Sequence, residues 1–364
     1  RSVPSLLYIT YSMYLSLGLN SVILKNFKGQ KKENENRFLT VNFQLLTVLS
    51  LPNFLITYFL FSSEIFLLVS IISIGNLFRG FFTAYFRVVE KTYVLNFNNI
   101  LLSVLLILFT FIFVNSWSDY LLVWSIITLI TLFAFVVFDI KYFSRIFKNF
   151  FKYPSELIVK DSIGEGIKLS AVAGVSTVYL SIDRLIVNNM DLSNSLKGTY
   201  QFSDNLSMAV FIGASALIFF YTPTWIDKVK KDKLFGIEML KIVNKSLIAI
   251  PLISLIAFFG SFILEKYWFS EYDSLSMFVV VITALKLLIL LIGIQALIFI
   301  ALNMEVEYLK VNLFSFTLIL ITFVYFVVFD QTQKGVLMVP SIIFLIMLIL
   351  LVTQRYTLKK ILKT

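Results

Sequence analysis

Eleven long apolar stretches dominate the sequence and limit what it can fold into. They occupy approximately residues 3–24, 39–61, 65–86, 93–114, 120–138, 167–189, 200–222, 240–264, 275–301, 307–329 and 335–352. An α-helix needs about 20 predominantly apolar residues to cross the hydrocarbon core of a bilayer, so each stretch can form one transmembrane helix. Because lipid cannot satisfy free backbone polar groups, the pattern predicts an all-α, polytopic membrane protein.

The basic residues alternate between the two sides of the predicted helices. Of the 31 Lys and Arg residues, 24 lie in alternate connections, within 25–37, 87–91, 141–168, 228–245 and 355–363 and at Lys310. The opposite side holds Arg1, Lys197, Lys266 and Lys334. Cytoplasmic loops carry the excess of Lys and Arg, so we predict a cytoplasmic C-terminus and a chain that starts on the outer side. A missing first helix before Arg1 would return the start to the cytoplasm and give twelve helices.

Twelve helices divide into two sets of six at the longest basic connection. We therefore predict an N-terminal lobe over 1–140, without its first helix, a basic cytoplasmic linker over 141–166 and a C-terminal lobe over 167–364. Many transporters are built from repeated halves with the substrate site between them. The expected architecture is two six-helix lobes around a central cavity.

The composition excludes several kinds of chemistry. The chain has no Cys and no His, so thiolate nucleophiles, disulfides, His-based acid or base catalysis and ordinary zinc sites are ruled out. Its net charge of +10 is concentrated in the connections beside the predicted helices, which indicates contact with membrane lipids rather than nucleic acid. We expect no enzyme activity, no catalytic residue, no metal and no cofactor, with H⁺ or Na⁺ as the candidate coupling ion.

Five charged residues remain inside the apolar stretches, and these are the candidate functional residues. Such residues cost roughly 2.5–3.5 kcal/mol each on insertion scales and usually face a cavity or a partner. Lys286 lies near the bilayer middle, where it lines a polar pathway or pairs with a buried carboxylate or carbonyl. Arg79 lies nearer the cytoplasmic end, where it reaches the headgroups or joins Asn76 on an interior polar face. The others are Asp183, Arg184 and Asp204.

Two hypotheses cover these residues. In one, Arg184 and Asp204 form a salt bridge that fixes a helical hairpin, and any carboxylate of Asp183 or Asp204 not held in this way binds a coupling ion. In the other, Arg79, Lys286 and Arg184 lie at inner, middle and outer depths and form a cationic ladder for an anionic headgroup.

The sixth and seventh apolar stretches resemble a known family. The segments Gly-Ile-Lys-Leu-Ser at 166–170, Ser-Ile-Asp-Arg-Leu-Ile at 181–186 and Gly-Thr-Tyr at 198–200 are similar to the start of the C-terminal lobe in bacterial polysaccharide flippases. These flippases carry O-antigen and capsule repeat units. They belong to the multidrug/oligosaccharidyl-lipid/polysaccharide exporter superfamily.

The resemblance implies a function. It implies a multi-pass protein of the bacterial inner membrane that flips undecaprenyl-diphosphate-linked oligosaccharide to the outer leaflet by alternating access. A polysaccharide polymerase and a chain-length protein would be its partners in surface polysaccharide synthesis. A drug exporter or another lipid exporter of the superfamily is the nearest alternative, and a membrane polymerase or glycosyltransferase of the same pathway is a further one.

Overall fold

The structure, a computed structural model, describes residues 2–29, 32–329 and 332–363. Every long regular element in these ranges is an α-helix. The helices are α1 (Ser2–Tyr11), α2 (Leu19–Asn26), α3 (Lys32–Leu60), α4 (Phe66–Val88), α5 (Thr92–Phe113), α6 (Trp117–Phe138), α7 (Ile140–Asn149), α8 (Glu156–Asn189), α9 (Asn194–Lys231), α10 (Lys233–Leu247), α11 (Ala249–Tyr267), α12 (Leu275–Ala301), α13 (Glu305–Val328) and α14 (Gln333–Lys363).

The number of spanning helices is lower than the hydropathy pattern predicts. Nine helices in the described ranges are long and apolar enough to cross a membrane, with α10 and α11 together counted as one. Helix α9, which bends by 42° near its middle, makes a tenth. The predicted all-α polytopic fold is confirmed, but the stretch 3–24 is not one continuous helix. It forms α1, a short 3-10 segment over Ser12–Ser16, and α2.

The break before α2 has a backbone cause. Leu17 and Gly18 both adopt left-handed conformations, with φ of 46° and 70°. A Cβ on Gly18 would lie 2.2 Å from the carbonyl oxygen of Gly166 in α8, and a Cβ on Gly166 would lie 2.4 Å from the carbonyl oxygen of Leu17. Two backbones therefore meet where neither leaves room for a side chain, and the helix ends so that this contact can form.

The chain divides into two compact units, Arg1–Ser170 and Ala171–Thr364, and the division falls inside α8. The segment 141–166, expected to be a linker, contains α7 and the first turns of α8. Helix α7 has ten residues, too few to span a membrane. It buries Phe143 and exposes Lys141, Arg145 and Lys148, the pattern of a helix that lies at a membrane surface.

Aromatic packing holds α7 to the first unit. Phe143 contacts Phe82 of α4 edge to face, with ring centroids 5.0 Å apart, and Phe82 stacks on Phe135 of α6 at 5.4 Å. Asp139, between α6 and α7, accepts a hydrogen bond from Tyr85 at 3.0 Å and forms an ion pair with Lys91 at 2.6 Å. These contacts join α4, α6 and α7 at one end of the unit.

Helix α12 forms the centre of the second unit. Of its most apolar 18-residue window, 67 % is buried inside the protein, against 11 % for α5 in the first unit. It packs against α9, α11 and α14. On the α9 side, the small residues Ser203 and Ser207 are fully buried, and Ser207 shares a hydrogen bond of 3.1 Å with Thr283 of α12. Small side chains one turn apart let two membrane helices approach closely.

Replacing Gly166 by Ala is expected to destabilise the first unit, because the new Cβ would meet the Leu17 carbonyl, a backbone atom that cannot rotate away. Gly164→Ala in the same helix is the matched control, since nothing lies within 4 Å of its Cβ position. Alanine there should raise stability by roughly 0.5–1 kcal/mol. Thermal unfolding of the two variants in one detergent should give a lower Tm for Gly166→Ala only, and equal Tm values would contradict the backbone contact.

Candidate functional site

The deepest charged side chain in the second unit is Lys286, which lies in the middle of α12 and is fully buried. Its Nζ is 2.9 Å from Oδ1 of Asp204 and 3.2 Å from Oδ1 of Asp183. It also donates a hydrogen bond to the backbone carbonyl of Leu180. Lys286 thus donates hydrogen bonds to Leu180 and Asp183, and it lies within ion-pair distance of Asp204.

Asp183 is held from both sides. One carboxylate oxygen faces Lys286, and the other accepts a hydrogen bond of 2.9 Å from the hydroxyl of Tyr200. The Tyr200 ring is buried and contacts Phe278 of α12 edge to face, with centroids 5.6 Å apart. Tyr200 therefore fixes the orientation of a carboxylate that belongs to the neighbouring helix.

Arg184 is the most accessible charged group in the cluster. Its guanidinium lies 3.4 Å from Oδ2 of Asp204, and its side chain is 35 % exposed, whereas Asp204 is 1 % exposed. Together Lys286, Arg184, Asp183 and Asp204, called the charge cluster below, contain two positive and two negative groups. Buried charges are tolerated when they are paired, and each charge of this cluster lies within ion-pair distance of an opposite charge, although Oδ1 of Asp204 accepts no hydrogen bond.

The remaining candidates from the sequence lie in the first unit. Arg79 is half-buried on α4 and donates a hydrogen bond of 2.8 Å to the side-chain oxygen of Asn99 on α5. Asn76 lies one turn earlier on the same helix and is half-buried. The structure thus brings four of the six candidates together in the charge cluster. The roles of all six in a substrate pathway or in ion coupling stay predictions.

Sequence reasoning missed three contributors to the cluster. Tyr200 and the Leu180 carbonyl complete the hydrogen bonding of Asp183 and Lys286, and Ser207 lines the same face of α9. The sequence does contain a signal for the Ser207 face of α9. Thr199, Ser203 and Ser207 recur every four residues, which predicts a polar stripe on one face of a helix. No comparable signal identifies a backbone carbonyl.

The arrangement leaves little room for a bound metal. Among the described residues, no group of three or more acidic side chains is positioned to hold a metal ion. Between Asp183 and Asp204 the position that a cation would take is filled by the Lys286 ammonium. The cluster is therefore a set of ion pairs built from the chain itself.

Comparison with solved structures identifies the fold of this chain. No protein-family model and no curated protein matches the sequence. Among solved structures, an outward-facing multidrug resistance MATE transporter of the MOP superfamily matches with a TM-score of 0.74 and 13 % identity, over 97 % of this chain and 84 % of its own. A MATE structure described as bent matches with a TM-score of 0.71 and 13 % identity, over 99 % and 87 % of the two chains.

A third match extends the range of proteins with this fold. It is a MOP superfamily transporter from Pyrococcus furiosus, described as having a binding pocket of reverse polarity that suggests a different function. Its TM-score is 0.68 at 13 % identity, and the match covers 99 % of this chain and 86 % of that one. The chain therefore has the fold of MATE transporters.

The charge balance of the cluster predicts a specific stability pattern. Lys286→Met should destabilise the second unit by about 3–5 kcal/mol, because two buried carboxylates would share one remaining cation. The double variant Lys286→Met with Asp183→Asn leaves Arg184 paired with Asp204 and should recover much of that loss. Thermal unfolding in detergent measures both. A double variant less stable than the single one would show that the cluster is not held by charge compensation.

Proposed function

We propose that this protein is a transporter that flips undecaprenyl-diphosphate-linked oligosaccharide repeat units from the cytoplasmic to the outer leaflet of the bacterial inner membrane. The direction is the one that the resemblance to polysaccharide flippases implies, and the basic connections indicate a cytoplasmic C-terminus. Alternating access is supported by the fold, because structures with this fold are described as outward-facing, bent and straight. A polysaccharide polymerase with its chain-length partner would consume the product to make O-antigen or capsule.

The observation that carries the proposal is the unequal exposure of the two cations that bind Asp204. Lys286 is fully buried, whereas the Arg184 side chain is 35 % exposed. Arg184 can turn towards an incoming anion without leaving Asp204 unpaired, because Lys286 stays 2.9 Å from the other carboxylate oxygen. A guanidinium binds phosphate oxygens in a bidentate, charge-assisted manner, which suits the diphosphate of such a lipid.

Arg79 provides a second accessible positive charge, in the first unit. Its described hydrogen-bond partner is the neutral amide of Asn99 rather than a carboxylate. In the described part of the chain, no acidic side chain forms an ion pair with it. An uncompensated guanidinium in a membrane helix is costly and therefore indicates an anionic partner. We assign Arg79, with Asn76, to the same substrate pathway as Arg184.

The charge cluster also offers a route for energy coupling. Both carboxylates are engaged with Lys286, so a proton or Na⁺ that binds Asp183 or Asp204 must compete with that ammonium. Uptake of the ion would loosen the contact between α12 and the pair α8 and α9. In this way an ion gradient would act on the packing of the second unit.

A drug exporter is the second candidate, because one structural neighbour is described as a multidrug resistance transporter. The recognition of cationic drugs requires an accessible carboxylate. Here Asp183 and Asp204 are 0 % and 1 % exposed and are paired with cations. The Pyrococcus furiosus neighbour is described as having a binding pocket of reverse polarity, so the fold accommodates pockets of different polarity. The cluster favours an anionic substrate.

The test is an export assay in host cells that lack the chromosomal copy of the gene. Arg184→Gln should lower export of the lipid-linked repeat unit by about ten-fold or more, because one charge-assisted contact to phosphate is lost. Lys266→Gln, which changes an exposed cation in the last turn of α11, is the control and should export normally. The measurement is the fraction of labelled lipid-linked sugar that an added glycosidase can reach in intact spheroplasts.

Two results would reject the proposal. Accumulation of the lipid-linked unit in the outer leaflet of the deletion strain would identify a polymerase or ligase step instead. Normal surface polysaccharide together with loss of efflux of cationic dyes would identify a drug exporter.

A further inference from the structure

Two adjoining pockets indent the first unit where α3 begins and α7 leads into α8. The first, with a volume of about 350 Å³, is lined by Asn36, Arg37, Gln44, Asn149 and Lys152 among others. We call it the amide pocket. The second, of about 450 Å³, is lined by Asn26, Asn34, Asp161, Ser162 and Glu165 among others, and we call it the carboxylate pocket. The pockets share Arg37 and Ser155 in their linings, so they adjoin, and the two together are called the hollow below.

The amide pocket combines positive charge with hydrogen-bond acceptors. Its lining contains Arg37 and Lys152 and no acidic side chain. Neither cation forms an ion pair among the described residues. Two cations that line one pocket without an acidic side chain in its lining can together bind a phosphate group.

Two amide oxygens in the same pocket lack partners. Gln44 donates hydrogen bonds through Nε2 to the backbone carbonyls of Phe150 and Lys152, the latter at 2.9 Å. This orientation leaves the Gln44 Oε1 atom buried and without a donor, and Oδ1 of Asn36 is in the same situation. A buried acceptor without a donor is costly, so such atoms indicate a ligand that brings hydroxyl or amide hydrogens.

The carboxylate pocket extends the same chemistry. Ser162 is 1 % exposed, and its hydroxyl has no hydrogen-bond partner in the described structure. Glu165 accepts a hydrogen bond from Asn26, which fixes the amide at the edge of the pocket. Hydroxyl, amide and carboxylate groups together recognise sugar hydroxyls, because each sugar hydroxyl both donates and accepts.

We propose that this hollow binds a phosphorylated sugar, with the phosphate between Arg37 and Lys152 and the sugar hydroxyls on the amide, serine and carboxylate groups. The candidate spans in α3 and α8 begin at Asn34 and Glu156, beside the hollow, and the neighbouring connections are rich in Lys and Arg, so we place the hollow near the membrane surface on that side. A headgroup attached to a membrane lipid reaches this position directly. The inference rests on the proposed function, since it makes the hollow the first docking site of the lipid-linked saccharide before transport.

A binding assay on the full chain in phosphatidylcholine nanodiscs tests the inference. The probes are a prenyl-diphosphate-linked N-acetylglucosamine, free glucose 1-phosphate and phosphatidylglycerol. Arg37→Gln and Lys152→Gln should each weaken binding of the first probe by about ten-fold, as expected for loss of a charge-assisted phosphate contact. Lys148→Gln is the matched control, because Lys148 is exposed at the end of α7 outside the hollow.

Ser162→Ala separates sugar recognition from phosphate recognition. It should weaken binding of the two sugar probes and leave phosphatidylglycerol binding unchanged, because only a sugar uses the Ser162 hydroxyl. Binding of both sugar probes, with the same dependence on Arg37 and Lys152, would show that the headgroup alone is recognised. Binding of the lipid-linked probe alone would show that the lipid is also recognised. Either result supports the inference.

Three results would overturn it: unchanged binding in both Arg37→Gln and Lys152→Gln, an equal loss in Lys148→Gln, or phosphatidylglycerol binding as tight as that of the sugar lipid. Arg184→Gln keeps the two proposals distinguishable, because it should lose export and retain binding at the hollow. Export by Arg37→Gln at the normal rate, without binding at the hollow, would reject the docking site and leave the transport proposal standing.

Discussion

The burial of one ammonium group in the middle of α12 dictates much of the second unit. A charge at that depth is stable only with acceptors on every side, and Lys286 obtains them from α8 and α9 rather than from its own helix. For Asp183 and Asp204 to reach it together, α8 and α9 must form a tight hairpin beside α12. The serine-lined contact of α9 with α12 permits that approach. Tyr200 then donates a hydrogen bond to the second carboxylate oxygen of Asp183. The polar groups therefore contact one another inside an apolar bundle.

The sequence predicts the helices well where their only requirement is to cross lipid. The stretch 275–301 coincides with α12, and 65–86 lies within two residues of α4. The prediction from sequence fails where a tertiary contact decides the local conformation. The left-handed turn at Gly18 exists because the Gly166 backbone lies against it, and this partner is almost 150 residues away. It also fails where a helix continues outside the membrane: α7 and the start of α8 alternate polar and apolar residues, and a search for long apolar stretches overlooks them.

The candidate site was predictable in its members and not in its geometry. Lys286, Asp183, Arg184 and Asp204 stand out because a charged residue in an apolar stretch is energetically unusual. Which of them meet depends on how each helix is rotated and how far it is shifted along its neighbour, and a hydropathy pattern does not encode either quantity. For the hollow beside α3, by contrast, even the member residues could not be predicted. Its residues, such as Asn36 and Gln44, are ordinary polar residues of α3, and only the folded structure shows that their unpaired oxygens share a pocket with two cations.

The neutrality of the charge cluster has an electrical consequence. Its two cations and two carboxylates sum to zero charge, so the transmembrane potential does no net work on the cluster when the four groups shift together relative to the bilayer. The potential contributes about 2.3 kcal/mol per elementary charge per 100 mV, so it acts instead on whatever charged cargo accompanies the movement. In a membrane that is negative inside, an anionic headgroup is pushed outward by this force. The cluster itself therefore adds no voltage dependence to the protein, and under the proposed function the potential acts through the charged headgroup.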